Sequence, residues 1–125
     1  MVPRRPARVL IVDEEPAIVE LLHEILSTDE YDVRPVSDST NAVAVALAFQ
    51  PHVLLLDLVM PGLPGEEVLR VLREHGVQAP AVAIAARPEL AGPEFFDVLG
   101  KPLDLQEVLR VVADAIRFGR PPDDP

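Results

Sequence analysis

The strongest constraint on the fold of this chain is that its main apolar runs show almost no alternation between apolar and polar positions. These runs are ARVLIVD at residues 7–13, HVLLLD at 52–57 and PAVAIAA at 80–86. A strand of this kind must be covered on both faces, a requirement that is met by parallel sheets with helices on each side. Segments with helical spacing separate the runs, so the sequence predicts an α/β domain built on a parallel sheet.

Two weaker runs and four helical segments complete the predicted element order. YDVRPV at 31–36 alternates like a strand, and DVLGKP at 97–102 carries a short fifth strand. The spacing of apolar residues, with typical residues at the helix ends, predicts four helices. Their predicted spans are 16–26, 39–50, 66–75 and 104–118. Ser39 or Thr40 is the expected N-terminal cap of the second helix.

Composition and charge narrow the classes of function. The formal net charge of −10 disfavours direct binding to nucleic acid or to an anionic membrane surface. The chain has no cysteine, and no apolar stretch approaches the roughly 20 residues of a membrane span. We expect a cytoplasmic protein with one domain at 7–118, a flexible arm at 1–6 and a disordered tail or linker start at 119–125.

Charged residues end three of the predicted strands. Asp13 and Glu14 follow the first strand, Asp57 ends the third, and Lys101 follows the fifth. The carboxyl ends of parallel strands share one edge of the sheet, where open α/β sheets bind their ligands. Two carboxylates about 5 Å apart repel each other by about 3 kcal/mol at an effective dielectric constant near 20.

A hard divalent cation would relieve this repulsion. Mg²⁺ commonly uses one or two carboxylates together with waters and phosphate oxygens. We predict that Asp13, Glu14 and Asp57 hold Mg²⁺ together with the backbone carbonyl of Val59. A single acidic residue at a strand end more often caps the next helix. The set of acids with Lys101, the only lysine of the chain, favours a functional site.

Three stretches resemble the receiver domains of two-component response regulators, in the same order and over residues 7–118. They are VLIVDEEPAIVELL, LLLDLVMPGLPG and LGKPLDLQEVL. One set of residues is quite specific for this family. It consists of Asp57, Met60, Pro61 and Gly65, followed later in the chain by a Lys-Pro pair. The resemblance implies a flavodoxin-like fold, which is a single doubly wound, five-stranded parallel sheet with strand order 2-1-3-4-5.

The same resemblance implies a role for each site residue. Asp57 is expected to accept a phosphoryl group from the phosphohistidine of a histidine kinase or a histidine phosphotransfer protein. Asp13 and Glu14 would hold Mg²⁺ with the carbonyl of Val59, and Lys101 would contact the phosphoryl oxygens. The peptide bond that follows the lysine is expected to be cis.

The chain departs from the receiver pattern where receivers carry their switch residues. Ala85 stands where they have threonine or serine, and Val98 stands where they have tyrosine or phenylalanine. RPELAGPEFF at 87–96, with two prolines and a glycine, does not supply the ten or so residues of the family's fourth helix. We therefore expect that helix to be shortened or missing and the receiver to be atypical.

Two functions stay open from the sequence. A phosphorylatable receiver with a non-standard output is supported by the complete acid set with Lys101. A pseudo-receiver, acting as a phosphorylation-independent protein-interaction module with an unspecified partner, is supported by the substitutions at Ala85 and Val98. A small phosphatase is disfavoured because Val59 stands where a haloacid-dehalogenase-like enzyme needs a second aspartate.

Self-phosphorylation and autodephosphorylation are the most that we expect of this chain as an enzyme. In receivers, the residues two places after the acceptor and two places after the switch threonine tune the attack of water. Here these are Val59 and Arg87, and neither is an acid or amide that would orient water. Slow autodephosphorylation is therefore expected.

Overall fold

The computed structural model describes residues 5–28 and 30–119, which contain five strands and four α-helices. The strands are β1 (Ala7–Val12), β2 (Tyr31–Val36), β3 (Val53–Asp57), β4 (Ala81–Ala85) and β5 (Asp97–Gly100). The helices are α1 (Pro16–Leu26), α2 (Ala42–Phe49), α3 (Gly65–Glu74) and α4 (Leu105–Phe118). Within these described ranges, no helix has both the length and the apolar character needed to cross a membrane. The predicted arm and tail fall, except for residues 5, 6 and 119, outside the described ranges.

All five strands are parallel and pair in the order β2-β1-β3-β4-β5. This confirms the predicted doubly wound, flavodoxin-like sheet. The strand order reverses between β1 and β3, and such a reversal opens a crevice at the carboxyl ends of the two strands. Val12 pairs with Leu56, so the next residue on each chain segment, Asp13 and Asp57, comes to this same edge.

Helices cover both faces of the sheet, which explains why its central strands are apolar except for Asp57 at the end of β3. Every residue of β3 and β4 is buried. Helices α2 and α3 pack over one face, where Leu54 and Leu56 lie, and helices α1 and α4 pack over the other, where Leu55 and Ile84 lie. Full burial of one such side chain stabilises the fold by about 1.5–3 kcal/mol.

The start of α2 differs from the prediction. The helix begins at Ala42, after a 3₁₀ helix at Ser39–Asn41. Asp38 caps that turn, because its side chain accepts a hydrogen bond from the backbone N–H of Thr40 at 3.0 Å. The prediction that Ser39 or Thr40 caps the helix was therefore wrong, and the buried Ser39 is engaged in a different contact.

The connection between β4 and β5 contains one turn of 3₁₀ helix at Pro88–Leu90 and no α-helix. The prediction that the fourth receiver helix is shortened or missing is thereby confirmed. Its physical cause is the pair of prolines, Pro88 and Pro93, which break the backbone hydrogen-bond pattern of a helix. Leu90 and Phe96 of this connection are partly exposed to solvent.

Gly65 allows α3 to begin directly against the backbone of Asp57. Its N–H donates to the carbonyl of Leu58 at 3.3 Å. A Cβ atom at this position would overlap the backbone carbonyl oxygen of Asp57. Glycine is required here because backbone, unlike the end of a flexible side chain, cannot move aside cheaply.

Gly65→Ala is expected to lower the free energy of unfolding by about 1–3 kcal/mol, because the added methyl group forces the backbone apart. Urea denaturation followed by circular dichroism measures the loss. Gly92→Ala is the matched control, since a Cβ there meets only the movable side chain of Glu94. We expect the control to stay within about 0.5 kcal/mol of wild type. Equal losses in the two variants would contradict the role given to Gly65.

Candidate functional site

Three carboxylates meet at the crevice between β1 and β3. Oxygen atoms of Asp13, Glu15 and Asp57 all lie within 4.8 Å of one another. Asp13 is fully buried and Asp57 is 4% exposed, whereas Glu15, just before α1, is exposed. Backbone N–H groups orient the two aspartates. The N–H of Glu15 donates to Asp13 Oδ1 at 2.8 Å, and that of Val59 donates to Asp57 Oδ1 at 3.0 Å.

The second oxygen of Asp13 makes this cluster suited to a cation. Asp13 Oδ2 is buried and has no hydrogen-bond partner among the described residues. Burial, and then the negative charge of Asp57, raise the pKa of Asp13 to about 7, although the N–H of Glu15 and the ammonium of Lys101 oppose the shift. An unpaired buried carboxylate oxygen is costly, and a bound cation would offset that cost.

Lys101 supplies a positive charge to the cluster. Its Nζ lies 3.2 Å from Asp57 Oδ2 and 3.2 Å from Glu15 Oε2. Its backbone N–H donates to the carbonyl of Ala85 at 2.9 Å, and the peptide bond to Pro102 is cis, as predicted. Burial lowers the pKa of Lys101, but the hydrogen bonds to Glu15 and Asp57 outweigh it, so the net pKa is raised. The ammonium is therefore charged at neutral pH.

Glu14, which the sequence placed among the metal ligands, is held outside this cluster. Its Oε1 accepts hydrogen bonds from the backbone N–H and the hydroxyl of Ser39, at 3.3 and 3.0 Å. Its Oε2 accepts from the N–H of Gly62 at 3.4 Å. In this structure Glu15, and not Glu14, has an oxygen within 4.8 Å of both aspartates, although Glu14 lines the same cavity as Asp57. The role of Glu14 as a metal ligand stays a prediction. Consecutive acids in a sequence do not indicate which of them a serine 25 residues away will engage.

The other predicted positions bring no hydroxyl or aromatic side chain to Asp57. Ala85 is buried at the end of β4, and Val98 is half-buried in β5. The side chain of Val59 is 80% exposed. The guanidinium of Arg87 is mostly exposed and pairs with Glu89 at 3.1 Å. Asp57 is thus surrounded by acids and one ammonium, with aliphatic side chains at the two switch positions.

An open cavity of about 580 Å³ gives access to this edge of the sheet. It is lined by Glu14, Glu15, Pro16, Asp57, Val59, Pro61, Ala86 and Lys101. The opening gives small molecules a path to Asp57.

Residues 9–113 match the family model of the response regulator receiver domain. The chain is 34% identical over 125 residues to the response regulator MprA of Mycobacterium avium, covering 94% of this chain and 54% of MprA. It is 32% identical over 131 residues to the transcriptional regulatory protein TrcR of Mycobacterium tuberculosis, covering 95% of this chain and 50% of TrcR. The chain therefore spans about half the length of these curated relatives.

A solved structure gives the same picture of the fold. The response regulator domain of Thermotoga maritima CheB is similar with a TM-score of 0.80 at 23% identity, covering 97% of this chain and 100% of that domain. The parallel sheet and its acidic crevice define a receiver-type α/β domain. The chain belongs to the family of response regulator receiver domains of two-component signalling.

Members of this family are phosphorylated by histidine kinases and bind Mg²⁺ at an acidic pocket. The residues present in this chain fit such an ion. All side-chain donors of the cluster are carboxylate oxygens, which suit a hard cation. Asp13 Oδ2, which has no hydrogen-bond partner among the described residues, is a carboxylate oxygen that could contact the ion.

Asp13→Asn is expected to stabilise the protein at alkaline pH when divalent cations are absent. The pKa of Asp13 is raised on folding from 3.8 to about 7, so the native state keeps a proton that the unfolded state releases between these values. The free energy of unfolding of wild type should therefore fall as the pH rises from about 4 to about 7. In the variant, the free energy of unfolding should decrease less over the same pH range. We expect a gain of at least about 1 kcal/mol at pH 8, since each pKa unit corresponds to about 1.4 kcal/mol.

Denaturant unfolding in EDTA at several pH values between about 4 and 8 measures this difference. Asp32→Asn, a change of an exposed carboxyl on β2, is the matched control. If wild type and Asp13→Asn lose stability in parallel as the pH rises, the burial of Asp13 does not have the effect described.

Proposed function

We propose that this chain is the phosphoryl-accepting receiver of a two-component phosphorelay. Asp57 would take the phosphoryl group from the phosphohistidine of a histidine kinase or a histidine phosphotransfer protein. The observation that carries the proposal is the environment of Asp57. This residue is nearly buried, and its Oδ2 accepts a hydrogen bond from Lys101 at 3.2 Å. Its carboxylate also lies close to those of Asp13 and Glu15. The sequence identity of 34% to MprA and of 32% to TrcR, both of which are named as regulators, supports the proposal.

Asp57 has the contacts that an attacking carboxylate needs. The N–H of Val59 fixes Oδ1, and Lys101 contacts Oδ2. In an in-line transfer, one oxygen of Asp57 bonds to phosphorus while the bond from phosphorus to the donor imidazole breaks, and the electron pair returns to that ring. Lys101 can follow the phosphoryl oxygens because its ammonium carries three rotatable donors.

Asp13, Glu14 and Asp57 are the carboxylates proposed to hold Mg²⁺, together with the backbone carbonyl of Val59. Glu15 lies close enough to both aspartates to take part as well. Mg²⁺, when bound, supplies positive charge that neutralises the oxygens of the transferred group. To contact the ion, Glu14 would exchange its hydrogen bonds with Ser39 for the metal.

The output of this receiver is proposed to be non-standard. Ala85 has no hydroxyl to donate to a phosphoryl oxygen. A hydrogen bond that would stabilise the phosphorylated form by about 1–3 kcal/mol is therefore absent. Val98 has no ring that could change position. These same substitutions favour the second candidate function, a pseudo-receiver that binds a protein partner without phosphorylation. In either case the net charge of −10 favours protein partners over nucleic acid or membranes, and the cytoplasmic location stays a prediction.

Incubation with acetyl phosphate and Mg²⁺ is expected to add one phosphoryl group to the wild-type protein, visible by intact mass spectrometry. Asp57→Asn should abolish the addition because it removes the attacking carboxylate, and Lys101→Ala should slow it at least about tenfold because the counter-charge is lost. Asp97→Asn, a change at the start of β5, is the control and should behave as wild type. An unmodified wild-type protein would favour the pseudo-receiver.

The phosphorylated form is expected to be long-lived, with a half-life of many minutes or more in Mg²⁺ buffer. The side chains of Val59 and Arg87 do not supply an acid or amide to orient the attacking water. Loss of the phosphoryl group is followed by mass spectrometry after the phosphodonor is removed. Val59→Asn should shorten the half-life, and a half-life of seconds in the wild type would contradict the proposed role of these positions.

A further inference from the structure

Another cavity lies at the amino-terminal edge of the sheet, at the opposite end of the strands from Asp57. Its volume of about 340 Å³ falls within the range of about 300–1,000 Å³ that is common for sites of small ligands. Part of its lining is apolar and comes from α2 and from the loops before β3 and β4. These apolar residues are Ala46, Leu47, Pro51, Val77 and Ala79. The polar part of the lining includes Arg8 and His52.

Arg8 brings a positive charge to this cavity. The residue is half-buried on β1, and its Nε donates to the backbone carbonyl of Gln50, at the end of α2, at 2.8 Å. The guanidinium is thereby held against the wall of the cavity. No carboxylate among the described residues forms an ion pair with Arg8, although the chain has 21 acidic and 11 basic residues. The two terminal nitrogens of Arg8 are therefore suited to bind an anionic ligand.

His52 adds a neutral hydrogen-bond donor beside the guanidinium. Its Nδ1 accepts from the backbone N–H of Arg8 at 2.9 Å, and its own backbone N–H donates to the carbonyl of Arg8 at 2.8 Å. Partial burial and the charge of Arg8 lower the pKa of His52, so the ring is neutral at pH 7. Because Nδ1 is an acceptor, the ring proton lies on Nε2, which can donate to a ligand. The two residues are thus fixed relative to each other before a ligand arrives.

We propose that this cavity binds a small organic monocarboxylate with an apolar body. The planar guanidinium of Arg8 matches the two oxygens of a carboxylate. One positive charge balances one negative charge, whereas a dianion such as phosphate would add a second negative charge to a chain with a net charge of −10.

The apolar part of the cavity accounts for the body of the ligand. Leu47 is 47% exposed, and Val77 lies beside it in the lining. An apolar ligand would remove part of the surface of Leu47 from water, which favours binding. The inference is independent of the proposed function, because this cavity and Asp57 lie at opposite edges of the sheet.

A titration of the full chain with benzoate, followed by two-dimensional NMR of the backbone amides at constant ionic strength, tests the site. We expect saturable shifts for the amides of Arg8, His52 and Gly76, with a Kd on the order of 1 mM for so small a ligand. Benzamide, which has the same shape without the charge, and inorganic phosphate should each bind at least about tenfold more weakly.

Two variants assign the binding to this cavity. Arg8→Gln should weaken benzoate binding at least about tenfold because the positive charge is lost. Leu47→Glu, at an exposed position of α2, should weaken it by a similar factor because it places a negative charge at the cavity. Arg110→Gln is the matched control, since it removes the same charge as Arg8→Gln from an exposed position on α4, and it should bind as wild type.

Circular dichroism confirms that each variant is folded. No saturable shift of the wild-type amides up to about 20 mM benzoate would overturn the inference, which is about twentyfold above the expected Kd. Equal binding of benzamide, tighter binding of phosphate, or unchanged benzoate affinity in both Arg8→Gln and Leu47→Glu would overturn it as well. Each of these results would leave the phosphoryl-accepting role of Asp57 untouched.

Discussion

The carboxylates of Asp13 and Asp57 end neighbouring strands of a parallel sheet, and the strand pairing forces them together where little water can reach them. Their repulsion is the physical constraint from which the rest of the site follows. Lys101 partly compensates it from the end of β5, and Asp13 Oδ2 has no hydrogen-bond partner in the described part of the chain. A crevice with this excess of negative charge is suited to bind a divalent cation and, with it, an anionic phosphoryl group.

The apolar core and the charged edge depend on each other. Burial of β3 on both faces fixes the position of Asp57, and Gly65 lets α3 approach the same backbone closely. The three loops at this edge are joined by Ser39, which contacts Glu14 and the backbone of Leu63. Rigid strands therefore fix the positions of the two aspartates, while the hydroxyl of Ser39 in a loop holds the side chain of Glu14.

Most of the fold could be predicted from the sequence, and the arrangement of the site only in part. Strands that are apolar on both faces have few alternatives to a helix-covered parallel sheet, and the prolines after β4 exclude a full helix there. Convergence of Asp13, Asp57 and Lys101 followed from their places at the strand ends. That Glu15 lies nearer than Glu14 to the two aspartates could not be predicted, because Glu14 is held by a contact with Ser39 that exists only after the chain has folded.

The central claim is that a divalent cation binds among the carboxylates at the β1–β3 edge. Amide chemical shifts recorded by two-dimensional NMR during a Mg²⁺ titration test it most directly. The account predicts saturable shifts for the amides of Glu15, Val59 and Lys101, and none for Gly76, which lies beyond α3 at the opposite end of the sheet. Unchanged spectra up to millimolar Mg²⁺, or shifts that centre on another surface, would contradict it.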